Sequence, residues 1–258
     1  MKLVTKQDFT NTYSLSAFAD KSINKYSNWF PVYASPNLSS IIGCLITDGH
    51  LQTRKIEKHT KYDYLGFFSD NKQELEMFNT KINSIFGVKG KITKWGIRYN
   101  GKSTGIIISN AALLRVLILC GCPSGEKVSK KFEVPSWILK GNKEIQSAFL
   151  RSSFSCDGTV FVEKESKRCR IRMIMYKQKK LSNDLRNYLN SLRKMLKEAF
   201  NIDTNNLSYG GKYTRNKDNE QMIGMYFEIN PKSISLFAKE IGFDINYKNS
   251  KLQNAILG

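Results

Sequence analysis

The sequence predicts an α+β protein of two pseudo-symmetric αββαββα domains, each with a four-stranded antiparallel sheet, packed against each other through one helix from each half. Three observations predict it. The stretches IIGCLITDG at 41–49 and LRSSFSCDG at 150–158 align as apolar-and-small helical runs that both end in Asp-Gly. The same succession of strand and helix patterns follows each run. The 258 residues then accommodate two domains of about 100–120 residues and an N-terminal extension. The expected divisions are 1–37 for the extension, 38–140 for the first half and 141–258 for the second.

The first run is a helix because Ile41, Ile42, Leu45 and Ile46 form a helical stripe, and Gly49 is expected to end it in the left-handed conformation. Leu150 and Phe154, with Gly158 after the acid, repeat the pattern. After Gly49 the strand-like run LQTRKIEKHTKYDYLGFFS leads into a helix from Lys72 to about Phe86, with Leu75, Phe78, Ile82, Ile85 and Phe86 on one face. After Gly158, TVFVEKESKRCRIRMIMY leads into a helix from about Lys180 to Phe200, striped by Leu181, Leu185, Leu189, Leu192 and Leu196. Two more strands follow in each half, KGKITKWGIRYN with STGIIISN and LSYGGKYTR with GMYFEIN, separated by polar turns. The closing helices are NAALLRVLILCG and PKSISLFAKEIGF.

Both runs place one acid, Asp48 or Asp157, at a helix end. The small residues Gly43 and Cys44, matched by Ser152 and Ser153, allow two such helices to approach closely and bring the acids together. Two adjacent carboxylates repel unless a cation lies between them, so the pairing asks for a divalent metal with oxygen ligands. A single apolar helix ending in Asp-Gly is an ordinary helix-turn; the doubling in register gives it meaning.

The two segments resemble the paired motifs of a single-chain LAGLIDADG homing endonuclease, and the resemblance extends from about Leu38 to about Leu252. It implies a site-specific double-strand DNA endonuclease with a long target of about 20 bp, two turns of duplex. It also implies that Asp48 and Asp157 bind the catalytic metal, with the flanking Thr47 and Gly49, Cys156 and Gly158 completing the shell. Magnesium is the expected cofactor, with manganese as a substitute and calcium binding without supporting cleavage. The chain departs from the family spelling at Ile46 and Ser155, where an acid is usual, and at Ser152 and Ser153. The family's lysine after each closing helix corresponds to Lys127 and Lys248, with Lys130, Lys131 and Lys251 as close competitors. At the end of the second strand, where relatives carry Gln or Lys, this chain offers Ser69-Asp70 in the first half and Lys177 in the second. A maturase acting on intron RNA and a non-cleaving DNA-binding regulator are the alternatives within the same fold.

Composition points to the same partner. With 41 Lys and Arg against 22 Asp and Glu the formal charge is +19, which marks a polyanion-binding surface. Helices on one face of each sheet leave the other open to a duplex, whose major groove would meet the strand side chains. The candidates are Gln52, Arg54, Lys91, Lys94, Arg98 and Asn100 in the first half, and Lys164, Lys167, Arg168, Arg170, Arg172, Lys212, Tyr213 and Arg215 in the second. The five cysteines include no CxxC pair, and Cys120 and Cys122 are poorly spaced for zinc, so all are expected to be reduced. His50 follows the first Asp-Gly turn and is expected to lie at the surface. No apolar run is long enough to span a membrane, and MKLVTKQDFTNTYS lacks the apolar core of a secretory signal, so an intracellular monomer is expected. An intein would begin with Cys or Ser and end in His-Asn; Met1 and the terminal AILG read as a free-standing or intron-encoded protein. The segment 1–37, with Lys21, Trp29 and Phe30, has no counterpart in the second half and is expected either to lie over DNA or to be a flexible leader.

Overall fold

A computed structural model describes residues 1–13, 17–53, 63–95, 103–163, 165 and 168–257. They form two compact units, Met1–Gly125 and Glu126–Gly258.

In the first unit, β1 (Lys2–Val4), α1 (Lys6–Tyr13), α2 (Ala17–Lys25) and β2 (Val32–Tyr33) precede the motif helix α3 (Pro36–Ile46). Then come β3 (Gly49–Gln52), β4 (Tyr64–Phe68), α4 (Lys72–Phe86), β5 (Lys91–Trp95), β6 (Ser103–Ile108) and α5 (Ala111–Leu119). Ser35 starts α3 by accepting the Leu38 N–H at 3.2 Å, and Pro36 supplies a preset φ at the first turn. Every residue from Leu38 to Ile46 is buried, the small Ser39, Ser40 and Gly43 included. Asn71 caps α4 through the Gln73 N–H, and Gly87 ends it with φ 63°.

The second unit begins with a short 3-10 turn (Lys127–Ser129), α6 (Ser136–Leu139) and the second motif helix, α7 (Lys143–Cys156). It continues with β7 (Gly158–Val162), β8 (Cys169–Gln178), α8 (Ser182–Phe200), β9 (Ser208–Thr214), β10 (Gln221–Glu228), α9 (Ile234–Glu240) and α10 (Asn246–Leu257). Asn142 caps α7 through the Ile145 N–H.

The sheets are antiparallel, with orders β3-β4-β6-β5 and β7-β8-β10-β9. Both follow the order first, second, fourth, third, so the predicted repeat is present in topology as well as in succession. Alternation decides what each face carries. Leu65, Phe67, Ile106 and Ile108 enter the core of the first unit, where Phe67 stacks on Phe78 of α4 at 4.4 Å. Ile171, Met173 and Phe227 do so in the second, against the Leu185, Leu189, Leu192 and Leu196 stripe of α8. Each such side chain contributes roughly 1.5–3 kcal/mol on burial.

The expectation that Gly49 and Gly158 take the left-handed conformation is corrected, since neither has a positive φ. Each is the first residue of a strand that turns back across the helix it leaves. A Cβ on Gly49 would lie 2.6 Å from the Leu45 Cα, and one on Gly158 would lie 2.8 Å from the Phe154 Cα. Glycine is needed there for close approach rather than for its dihedral freedom.

Two further differences concern boundaries. The segment after Gly125, expected to close the first half, packs with the second unit: Phe132 meets Tyr188 edge-on at 5.1 Å and the Lys130 carbonyl accepts from Lys177 at 2.8 Å. The described residues of the N-terminal extension pack on the first unit's helical side. There β1 pairs with β2, Trp29 Nε1 donates to the Phe86 carbonyl at 2.8 Å, and Arg115 of α5 lies 4.8 Å over the Tyr13 ring.

Candidate functional site

Both acids stand where a helix hands over to the first strand of its sheet. Asp48 lies one residue past the α3 cap, Thr47, whose hydroxyl donates to the carbonyls of Gly43 (2.8 Å) and Cys44 (3.1 Å) and so closes the last turn. The next residue, Gly49, pairs with Phe67, and Asp48 itself is exposed. Asp157 is the cap residue of α7, its N–H donating to the Ser153 carbonyl at 3.0 Å; it is half-buried, and Gly158 pairs with Met173. A carboxylate at a helix C-terminus opposes the helix dipole.

In the second unit that charge has a cationic neighbour. Lys248, buried in α10, directs its ammonium at the carbonyls of Ser155 (2.5 Å), Cys156 (3.5 Å) and Gly158 (2.7 Å), on both sides of Asp157. The serines that depart from the family spelling serve the same anchoring. Ser152 Oγ donates to Asp244 at 3.0 Å, the Asp244 N–H donates to Ser155 Oγ at 2.6 Å, and Arg151 Nε donates to the Ile241 carbonyl at 2.6 Å. The C-terminal half of α7 is thus tied to the segment between α9 and α10. The family-derived lysine Lys248 lies beside its acid and is bound to backbone. Lys127 sits half-buried in the 3-10 turn of the second unit rather than at the end of the first.

Lys177 is corrected as a site residue. Strand alternation turns it to the helical side of β8, where it is buried, pairs with Asp184 of α8, and lies 3.7 Å from the Phe132 ring centroid. Burial lowers its ammonium pKa, with Asp184 opposing. The neighbouring Gln178 shares the open face with Arg170, Arg172 and Tyr176, is 4% exposed, and has a side-chain carbonyl without a hydrogen-bond partner among the described residues. Gln178 is therefore the polar residue at the end of the second strand. The even spacing from Arg172 was the available signal. Sequence reading also missed Tyr188, which falls on the apolar face of α8. Burial, reinforced by the charge of Asp157, pushes its phenol well above the usual range.

The open face of the second sheet carries an organised cluster. Glu228, 5% exposed, accepts from Arg170 Nε (3.0 Å) and Arg172 Nε (2.8 Å), while Arg170 Nη1 also donates to Glu163 at 2.7 Å. Arg172 lies 4.4 Å over the Tyr226 ring. These two expected contacts share one face and one carboxylate. Arg168 is exposed immediately before β8; on the edge strand β9 Tyr213, opposite Met222 and in line with Gln178, shares the open face, whereas Lys212, opposite Ile223 and in line with Lys177, points to the other side. Arg215 lies beyond β9, off the strand face, where it pairs with Glu126 and Asp218.

In the first unit His50 and Gln52 share the open face of β3 and bond each other at 2.9 Å. Lys91, opposite Ile107, lies on that face; Lys94, opposite Thr104, points to the other, since the two are three residues apart on a period of two. Arg54, Arg98, Asn100, Lys164 and Lys167 lie outside the described residues. The described cysteines are free thiols, and burial pushes that of Cys120 up to about 12, which makes it unreactive. Among the described residues no cluster of three or more His, Cys, Asp or Glu side chains is placed to hold a metal, and no helix is long and apolar enough to cross a membrane.

Residues 144–242 match the family model of a LAGLIDADG-like domain. The chain is 29% identical over 178 residues to the tRNA-splicing ligase RtcB of Methanopyrus kandleri, covering 65% of this chain and 17% of that protein. It is 30% identical over 119 residues to the replication factor C small subunit of Methanocaldococcus jannaschii, covering 46% of this chain and 6% of that protein. It thus spans about a sixth or less of the length of these two relatives. Among solved structures it is similar to the homing endonuclease I-WcaI bound to its DNA recognition sequence, at 15% identity and a TM-score of 0.51, covering 96% of this chain and 98% of that one. The second unit contains a LAGLIDADG-like domain, and the fold is that of the LAGLIDADG homing endonucleases.

Proposed function

We propose that this chain, whose second unit contains a LAGLIDADG-like domain, is a site-specific double-strand DNA endonuclease that hydrolyses both strands of a long target using divalent metal held by Asp48 and Asp157. One observation carries the reading: the same local device occurs twice. Each unit ends a buried motif helix in one acid, immediately before the first strand of an antiparallel sheet with the same strand order. Neither acid serves its own helix, so both are explained best by a shared chemical task. The matched relatives support no other activity, because an RNA ligase and a replication factor have unrelated named functions and match over small fractions of their lengths.

The donors suit the metal. Carboxylate oxygens favour a hard cation such as magnesium. Bound there, the metal supplies charge neutralisation at the phosphate and lowers the pKa of water. The protein's own share is positional. Lys248 and the Ser152, Ser155 and Arg151 bonds hold the backbone on either side of Asp157, and Thr47 closes the turn before Asp48. Gln178 brings to the end of the second strand an amide carbonyl with no hydrogen-bond partner among the described residues. Across the open face, phosphate contacts by side chains such as Lys91 and Tyr213 set register, and the Arg170–Arg172 pair reads base edges, guanine by preference.

Incubation of a randomised duplex library with the protein and magnesium, followed by sequencing of the cut ends, tests the reading. The account expects one long consensus cut on both strands. Tight duplex binding with no cut member would replace it with a DNA-binding regulator, and preference for structured intron RNA would replace it with a maturase.

A further inference from the structure

We propose that the open face of the second sheet reads the 5-methyl groups of thymine through Ile174 and the ring of Tyr176. The proposal rests on the reading that a duplex lies along this face, and it adds an apolar means of base selection to the polar one at Arg170 and Arg172. Strand alternation places Arg170, Arg172, Ile174 and Tyr176 of β8 on that face. The two arginines share Glu228, and beyond them the face changes character. Ile174 pairs with Tyr226, Tyr176 pairs with Gly224, and Gly224 pairs with Gly211 of β9. Neither row brings a charged side chain to the open face from β8, β10 or β9.

The Tyr176 ring is laid across the sheet. A Cβ on Gly224 would lie 2.8 Å from its Cζ, so glycine makes room for it, and its hydroxyl reaches β9 to donate to the Gly210 carbonyl at 3.1 Å. Tyr213 meets the ring edge-on at 5.6 Å. With its one donor committed to the backbone, Tyr176 contributes mainly ring to the face, and both it and Ile174 are half-buried. A surface fixed in this way before binding loses little side-chain freedom when it is covered. The thymine methyl is the apolar group that distinguishes one base pair from another in the major groove, where the other features are hydrogen-bond donors and acceptors. An uncharged stretch of the face suits that methyl and suits phosphate poorly, since it offers no cation to replace the counterions.

The test reads binding alone, without magnesium, on the duplex that the protein selects from a randomised library. Each thymine of the consensus is replaced in turn by uracil, which removes the methyl and leaves every hydrogen-bonding group in place. In the wild type, one or two replacements are expected to weaken binding by about fourfold each, the effect of one buried carbon. Ile174→Ser and Tyr176→Ser are each expected to erase the difference at one of these thymines, while Tyr176→Phe, which keeps the ring, preserves it. Retained affinity of the serine variants for the uracil duplex shows that they are folded, and the wild-type comparison stands without them. A consensus free of thymine, equal binding of thymine and uracil duplexes by the wild type, or an undiminished difference in both serine variants would overturn the proposal. Failure to bind any duplex would overturn the duplex reading itself, and this proposal with it.

Discussion

The Lys248 ammonium lies 2.7 Å from the carbonyl oxygen of Gly158, the residue that follows Asp157, and 2.5 Å from that of Ser155, two residues before the acid. A lysine from the last helix thus fixes the backbone around one acid from both sides. Hydrogen bonds to a charged donor are worth about 1.5–3 kcal/mol each, and burial raises the cost of losing them. Lys248→Met is expected to destabilise the protein by about 3 kcal/mol in urea unfolding. Lys248→Arg is expected not to restore it, because a planar fork cannot converge on the same carbonyls. Unchanged stability in the Met variant would show that the lysine does not hold this turn.

The Lys177–Asp184 pair lies on the helical side of β8 and is predicted to be structural. Lys177→Met leaves Asp184 without its cation, at a cost of about 3 kcal/mol; adding Asp184→Leu should recover most of it. The pH dependence has a definite sign. Burial lowers the folded pKa of Lys177, so in the alkaline range between that value and the ordinary lysine pKa the unfolded chain holds more protons. Its contribution therefore grows as pH rises through that range and is lost as pH falls through the lowered pKa. Urea unfolding across that range should show a shallower rise for Lys177→Met than for the wild type.

Gly49→Ala and Gly158→Ala place a methyl group against the backbone of the preceding helical turn, and each is expected to cost about 1–3 kcal/mol. Gly87→Ala provides the contrast. Its site has open space but a φ of 63°, so its penalty is conformational, about 1 kcal/mol. Thermal melting of the three variants separates the two causes. Equal costs at all three would contradict the crowding argument.

Much of this was legible in the chain. Wide apolar stripes revealed α4 and α8, and the doubled Asp-Gly runs revealed the repeat. Side-chain direction is less legible, because a one-residue uncertainty in strand phase exchanges faces: the candidates Lys94 and Lys177 turn to the helical side, while Gln178 takes the open one. Long-range partners were not legible at all. Nothing local shows that Ser152 will meet Asp244, or that Lys248 will reach the turn at Asp157, each about ninety residues away. The glycines after the acids were correctly singled out, for a dihedral reason where the cause is crowding.

Glu228 holds Arg170 and Arg172 on the open face of the second sheet. Glu228→Gln keeps the shape and removes the charge that orients both guanidinium groups. Discrimination at the base pair they read is expected to fall by about 1–3 kcal/mol, while binding to unrelated duplex holds or strengthens because a negative charge has gone. Parallel selections from a duplex library would show a blurred position. A uniform loss of affinity with unchanged preference would contradict the assignment.

The most direct measurement is cleavage of a selected duplex by the wild type, Asp48→Asn and Asp157→Asn, in magnesium and in calcium, with binding recorded alongside. The account predicts that the wild type cuts both strands in magnesium and only binds in calcium, and that either substitution abolishes cutting with little loss of binding. Undiminished cutting by both variants would contradict the claim that these two acids form the centre.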